Sequence, residues 1–197
     1  MDYGAFFAYV FFMTLTPGPN NAMTMSIASK NGFKQSLRFN FGVMAGIIII
    51  FAACSVFASI LYKLLPAIEP VMLCICTVYL LWLAWIIWRD KPAEKKNGLM
   101  VYGFLSGMVL QLVNVKLLFF ALTTLSIFLL PHYKQFSELV PFLFVIGIIG
   151  LFATSCWALF GAIFEKLLGK HKKIVNALMA LLLVYFAVSQ FIGIFKR

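Results

Sequence analysis

The chain has 197 residues, 63% hydrophobic and 11% charged, with a formal net charge of +10, whereas soluble domains carry roughly 25% charged residues. A soluble fold this short leaves much of its chain at the surface and cannot hide so much apolar area, so the composition excludes an ordinary soluble domain and points to a bilayer. It also excludes nucleic acid as a partner, because Lys and Arg fall in short clusters between apolar runs and not on a soluble basic face.

Six apolar spans are expected, at about 5–28, 39–62, 67–88, 99–130, 139–164 and 174–195, each with at least the ~20 residues that cross a bilayer as helix. They fill the chain, which reads as one transmembrane domain over 1–197. The opening Met1, Asp2, Tyr3, Gly4 lacks a basic stretch, so the first segment is expected to remain as a span. Near its middle lie Thr16, Pro17, Gly18, Pro19, Asn20 and Asn21. An interior proline removes a helical hydrogen bond and clashes with the preceding turn, so two prolines around a glycine should unwind the helix here. Unwound backbone at membrane depth needs protein or a wet cavity to satisfy it. Its free amides attract an anionic group and its free carbonyls a cationic one, and a zwitterionic amino acid offers both.

Lys30, Lys34 and Arg38 follow the first span, and Arg89, Lys91, Lys95 and Lys96 follow the third. With Lys166, Lys170, Lys172 and Lys173 after the fifth, eleven basic residues lie on one side of the membrane. The other side has four, Lys63, Lys134, Lys196 and Arg197. The positive-inside rule places the richer loops in the cytoplasm and both termini outside. Trp82, Trp85 and Trp88 at one end of the third span, and Tyr62 and Tyr133 near opposite ends, suit an interfacial belt. Cys54, Cys74, Cys76 and Cys156 lie in apolar runs without the Cys-x-x-Cys spacing, and are expected to be buried free thiols.

The fourth span carries Gln111, Asn114 and Lys116. A lysine at the bilayer centre costs ~2.5–3.5 kcal/mol on insertion scales and is a functional candidate by default. The six acidic residues, Asp2, Glu69, Asp90, Glu94, Glu138 and Glu165, all fall near interfaces. Lys116 therefore has no acidic partner in the membrane, and a substrate carboxylate is a natural counter-ion. A desolvated amine can also lose and regain a proton, which makes Lys116 the proton-coupling candidate.

At an offset of 100, Phe33, Lys34 and Gln35 align with Tyr133, Lys134 and Gln135, and the run 46–51 aligns with 146–152. Three spans per half is odd, so the second repeat (about 98–197) would enter the membrane inverted relative to the first (about 1–92), a recurring transporter design. The same offset sets Thr14 and Thr16 against Asn114 and Lys116, placing both irregular stretches at equivalent depth.

Thr16-Pro17-Gly18-Pro19-Asn20, together with the asparagine and lysine of Gln111-Leu112-Val113-Asn114-Val115-Lys116, resembles the LysE/RhtB family of amino-acid exporters over essentially the whole chain. Most of that family carries proline where this chain has Val115, which takes away the residue that would break the fourth helix. In that departure, in the run from Gln111 to Pro131, and in Leu181-Leu182-Leu183-Val184-Tyr185, the chain is similar to the cysteine/O-acetylserine branch. The resemblance implies proton-driven efflux of small neutral amino acids across a bacterial inner membrane, cysteine and O-acetylserine first. Homoserine, threonine and lysine are the alternative cargoes.

Together these readings give an all-α membrane protein of six helices in two inverted halves, not an enzyme, with no cofactor and no metal. Its partners are an amino acid and the lipid bilayer; monomer and homodimer both stay open. The expected substrate-binding residues are Thr16, Pro17, Gly18, Pro19, Asn20, Asn21, Gln111, Asn114 and Lys116. A thiol oxidoreductase would need a proximal cysteine pair. A metal exporter would need converging intramembrane ligands, and His132 and His171 lie in loops.

Overall fold

The computed structural model describes residues 1–88, 103–168, and 177, 178, 180, 181, 183–185, 187 and 188. The described residues are helical, without strands. Helix α1 (Tyr3–Leu15) starts on an N-cap, Asp2, whose carboxylate accepts from the Ala5 amide at 3.0 Å. It buries Phe6 and Val10 and leaves Phe7, Phe11 and Phe12 exposed. That one-sided pattern is expected where lipid meets one face of a helix.

Helix α2 (Pro19–Asn31) completes the first predicted span and is of a different kind. Pro19 and every residue from Asn21 to Ser29 are buried, although the segment includes Asn21, Thr24, Ser26 and Ser29. A helix this polar survives only with protein on all sides. It packs against α3 (Phe33–Trp88) and α6 (Phe136–Leu168). Close approach needs small residues: a Cβ on Gly161 of α6 would sit 2.2 Å from the Met25 carbonyl oxygen. Thr24 Oγ1 donates to Asn40 Oδ1, and Asn40 Nδ2 donates to Ser155 Oγ at 3.4 Å, tying α2, α3 and α6 together.

A single residue, Gly32 at φ 84°, turns the chain from α2 into α3. Lys34 and Arg38 thus sit in the first turns of α3, which begins ahead of the predicted boundary at 39. Helix α3 departs from helical geometry at Phe57 (φ −108°, ψ 16°), and Phe33–Phe57 is long and apolar enough to cross a membrane. Trp82, Trp85 and Trp88 are exposed near its end. Cys54 is buried, but Cys74 is exposed and Cys156 half-buried: burial of these thiols holds for only one of the three described, because Cys74 lies on an outward face.

The fourth predicted span is bent by 68° between α4 (Phe104–Leu112) and α5 (Val115–Thr124), which continues as a π turn over Leu125–Leu129. Helices α3 and α4 touch backbone to backbone. A Cβ on Gly42 would come within 1.9 Å of the Phe104 carbonyl oxygen, and one on Gly107 within 2.2 Å of that of Phe39. Helix α6 supplies another membrane-length segment, Phe136–Ile163. The Glu138 carboxylate accepts from the Lys134 and Gln135 amides at 3.0 Å each, so Tyr133–Gln135 lie ahead of α6 while Phe33–Gln35 lie within α3's environment. The two helix starts, Phe33 and Phe136, are accordingly not at the offset read from the sequence. Among the described residues, two single helices and one bent pair are long and apolar enough to cross a membrane, and α1 is a shorter apolar helix. Most of the sixth predicted span, and the loop carrying Arg89 to Lys96, lie outside the described residues.

Candidate functional site

The first span breaks where the prolines predict. Helix α1 ends at Leu15, Thr16 is its C-cap, and Gly18 in extended backbone is the N-cap of α2 with Pro19 at its first position. The fourth span breaks too, without a proline. Asn114, at φ −84° and ψ 95°, caps α5 through its side-chain oxygen, which accepts from the Leu117 amide at 3.2 Å. Val115 does not abolish the break, because a competing side-chain acceptor ends the upstream helix as well as a missing N–H would.

The breaks face each other and are joined by amides. Asn20 Nδ2 donates to Gln111 Oε1 at 2.8 Å, and Gln111 Nε2 donates back to Asn20 Oδ1 at 2.9 Å. Asn114 Nδ2 donates to the same Asn20 oxygen at 3.2 Å. Gln111 and Asn114 are buried, and Gln111 fits because position 46 is glycine: a Cβ there would lie 2.5 Å from Gln111 Cγ.

The carboxyl end of α1 is the second focus. Asn21 Nδ2 donates to the carbonyls of Thr14 at 2.9 Å and Thr16 at 3.0 Å, with Leu15 O at 3.5 Å. Trp157 Nε1 donates to Leu15 O at 3.1 Å. Lys116 Nζ donates to Thr16 O at 2.8 Å. A helix's last carbonyls lack partners in the helix and carry the negative end of its dipole, so a cation there is favoured. The Lys116 side chain lies against Gly18, where a Cβ would meet Cδ and Nζ at 3.3 Å each.

Between the breaks lies a cavity of about 40 Å³, room for a few waters. Of the predicted residues, Gly18, Pro19, Asn20, Asn21, Asn114 and Lys116 line it. Three do not. Thr16 and Pro17 are exposed, the Thr16 hydroxyl donates to its own helix at Phe12 O, and Thr16 meets the cavity wall through its carbonyl, which accepts from Lys116. Gln111 stands behind Asn20, its amide already used. The remaining wall went unanticipated: Met13, Val43, Ile47, Leu117 and Phe120 make it apolar on one side, and Thr14, Thr154 and Gly150 complete it. Nothing marks the apolar ones in sequence, since apolar side chains facing a cavity look like those facing the core, whereas Thr14 is the residue that the offset of 100 sets against Asn114. Gly46 and Trp157 could have been suspected, as a small residue beside a polar span and an indole away from the interfaces.

Among the described residues no acidic side chain lines the cavity, and Lys116 is its one charged group. Nor does any group of three or more His, Cys, Asp or Glu among them come together to hold a metal ion.

The LysE type translocator family profile matches residues 11–193. A protein of Salmonella typhi named cysteine/O-acetylserine efflux protein is 36% identical over 187 residues, 95% of this chain and 96% of that one. Its namesake in Escherichia coli (strain K12) is 35% identical with the same coverage. No solved structure matches the chain. The two paired breaks and the end-to-end likeness agree: the chain belongs to the LysE-type translocator family.

Proposed function

We propose that this translocator exports small neutral amino acids, cysteine and O-acetylserine foremost, from a bacterial cytoplasm across the inner membrane, driven by the proton gradient. The observation that carries the reading is the Lys116 ammonium, which lies at the junction of two broken spans on the wall of a cavity and rests on a backbone carbonyl. A half-buried cation whose partner is neutral is ready to exchange it for a carboxylate. The relatives' names supply the cargo. A cationic side chain such as lysine's would find only a second cation in this wall, which favours neutral cargo over the basic alternative.

In this reading Lys116 pairs with the substrate carboxylate and carries the coupling proton. Asn20, Asn21 and Asn114 orient the polar end, with Gln111 positioning Asn20. Thr16, Pro17, Gly18 and Pro19 contribute the opened backbone. Six spans form two inverted halves, repeat one about 1–92 and repeat two about 98–197, with both termini periplasmic. The present cavity holds only a few waters, so an amino acid enters as the halves rock apart.

The test is initial uptake of labelled cysteine and O-acetylserine into everted vesicles, with and without an imposed pH gradient. Lys116→Ala at equal abundance should lower it at least about tenfold, the factor that one hydrogen bond to a charged group supports. Undiminished uptake by that variant would remove Lys116 from the mechanism. Uptake indifferent to the gradient would remove the coupling.

A further inference from the structure

We infer that the carboxyl end of α1, at the Thr16 and Thr14 carbonyls, is the seat of the substrate's α-ammonium, and that the Lys116 ammonium occupies this seat as an internal stand-in. Successive carbonyls of Thr14, Leu15 and Thr16 converge on one nitrogen, Asn21 Nδ2, at 2.9, 3.5 and 3.0 Å. Such convergence suits a compact donor with several N–H groups, which an ammonium is and a carboxylate is not. A carbonyl oxygen has two lone pairs. Both are used at Thr16, one by Asn21 and one by Lys116. Asn21 is held in place by a buried position on α2, and Trp157 by its ring on α6. Lys116 alone reaches Thr16 O on a flexible stem, and it alone carries a charge that a carboxylate would draw away.

Arrival of a zwitterion therefore replaces one pair with two. Its carboxylate takes the Lys116 ammonium, its own ammonium takes the lone pair released on Thr16 O, and neither the lysine nor the carbonyl loses a partner. The α-carbon holds the two groups at adjacent positions, matching the direct contact of Nζ with Thr16 O at 2.8 Å. A ligand with only one of the groups leaves the exchange half done. A carboxylate alone takes the Lys116 donor from Thr16 O and leaves that carbonyl with Asn21 Nδ2 only. An amine alone must compete with Lys116 for the seat and meets its charge. The site thus demands a free α-amino group as well as a free carboxylate.

The inference rests on the reading of Lys116 as the carboxylate's partner, and analogues separate the two. Inhibition of labelled cysteine uptake into everted vesicles is measured with 3-mercaptopropionate (no amine), cysteine methyl ester (no free carboxylate) and cysteamine (amine only). Each should inhibit at least about tenfold more weakly than cysteine, the factor that one charged hydrogen bond supports. In the purified Lys116→Met protein, thermal stabilisation by cysteamine should appear at least about tenfold lower in concentration than in the unaltered protein, because the seat has lost its occupant. Inhibition by 3-mercaptopropionate equal to that by cysteine, with the ester inactive, would overturn the ammonium seat and leave the Lys116 reading standing. Full inhibition by the ester would overturn the Lys116 reading and the exchange with it, as would uptake of neither cysteine nor O-acetylserine. An unchanged response to cysteamine in Lys116→Met would overturn the stand-in role.

Discussion

The amide pair between Asn20 and Gln111 holds the two breaks together, and its strength can be measured by a double-mutant cycle. Asn20→Ala, Gln111→Ala and the double variant are compared for thermal unfolding in detergent. Two hydrogen bonds are at stake, at 2.8 and 2.9 Å. Side-chain hydrogen bonds between membrane helices average about 0.6 kcal/mol and reach about 1.7, so the coupling should be about 1–3 kcal/mol. Asn20→Ala alone should cost somewhat more than its share of that coupling, since Asn114 Nδ2 also loses its 3.2 Å partner and keeps only Gln111 Oε1 at 3.5 Å. Gln111→Ala alone leaves the 3.2 Å bond from Asn114 to Asn20 intact and should be the milder variant in transport. Additive single effects, with coupling below about 0.5 kcal/mol, would mean that the amides do not act as a unit and the breaks are held by packing alone.

Trp157→Phe keeps an aromatic ring but removes the donor to Leu15 O, and should lower stability by about 0.6–1.7 kcal/mol, read as a fall in melting temperature with the fold retained. Gly42→Ala places a Cβ 1.9 Å from the Phe104 carbonyl oxygen, so α3 and α4 must separate; detergent-solubilised protein should no longer elute as a single sharp species. Gly32→Ala meets no steric neighbour but must hold φ 84°, which should cost about 1–3 kcal/mol of stability while leaving cysteine uptake intact at low temperature.

The structure changes the weight of individual residues in the site. Thr16 meets Lys116 through its backbone oxygen and not its hydroxyl, which folds back on Phe12. Gln111 supports Asn20 from behind Gly46 and never reaches the cavity. Asn114 does what a proline would have done, ending one helix and starting the next, and so makes the Val115 departure harmless to the bend. A buried helix as polar as α2 further shows that the first span is lipid-facing only in its α1 half.

The sequence by itself determined the solvent, because an apolar share of 63% can be covered only by lipid. It also located both irregular stretches, because prolines inside a helix and a lysine in a hydrocarbon run carry large local penalties whatever surrounds them. Tertiary structure alone decided that Lys116 reaches Thr16 O, that Asn20 pairs with Gln111, and that Met13, Val43 and Phe120 face a cavity instead of the core. Those are matters of which helix faces which, set by close approach at Gly42, Gly107 and Gly161 across large sequence separations. Local composition can show that a polar group in a membrane needs a partner; only the packing of distant helices chooses the partner.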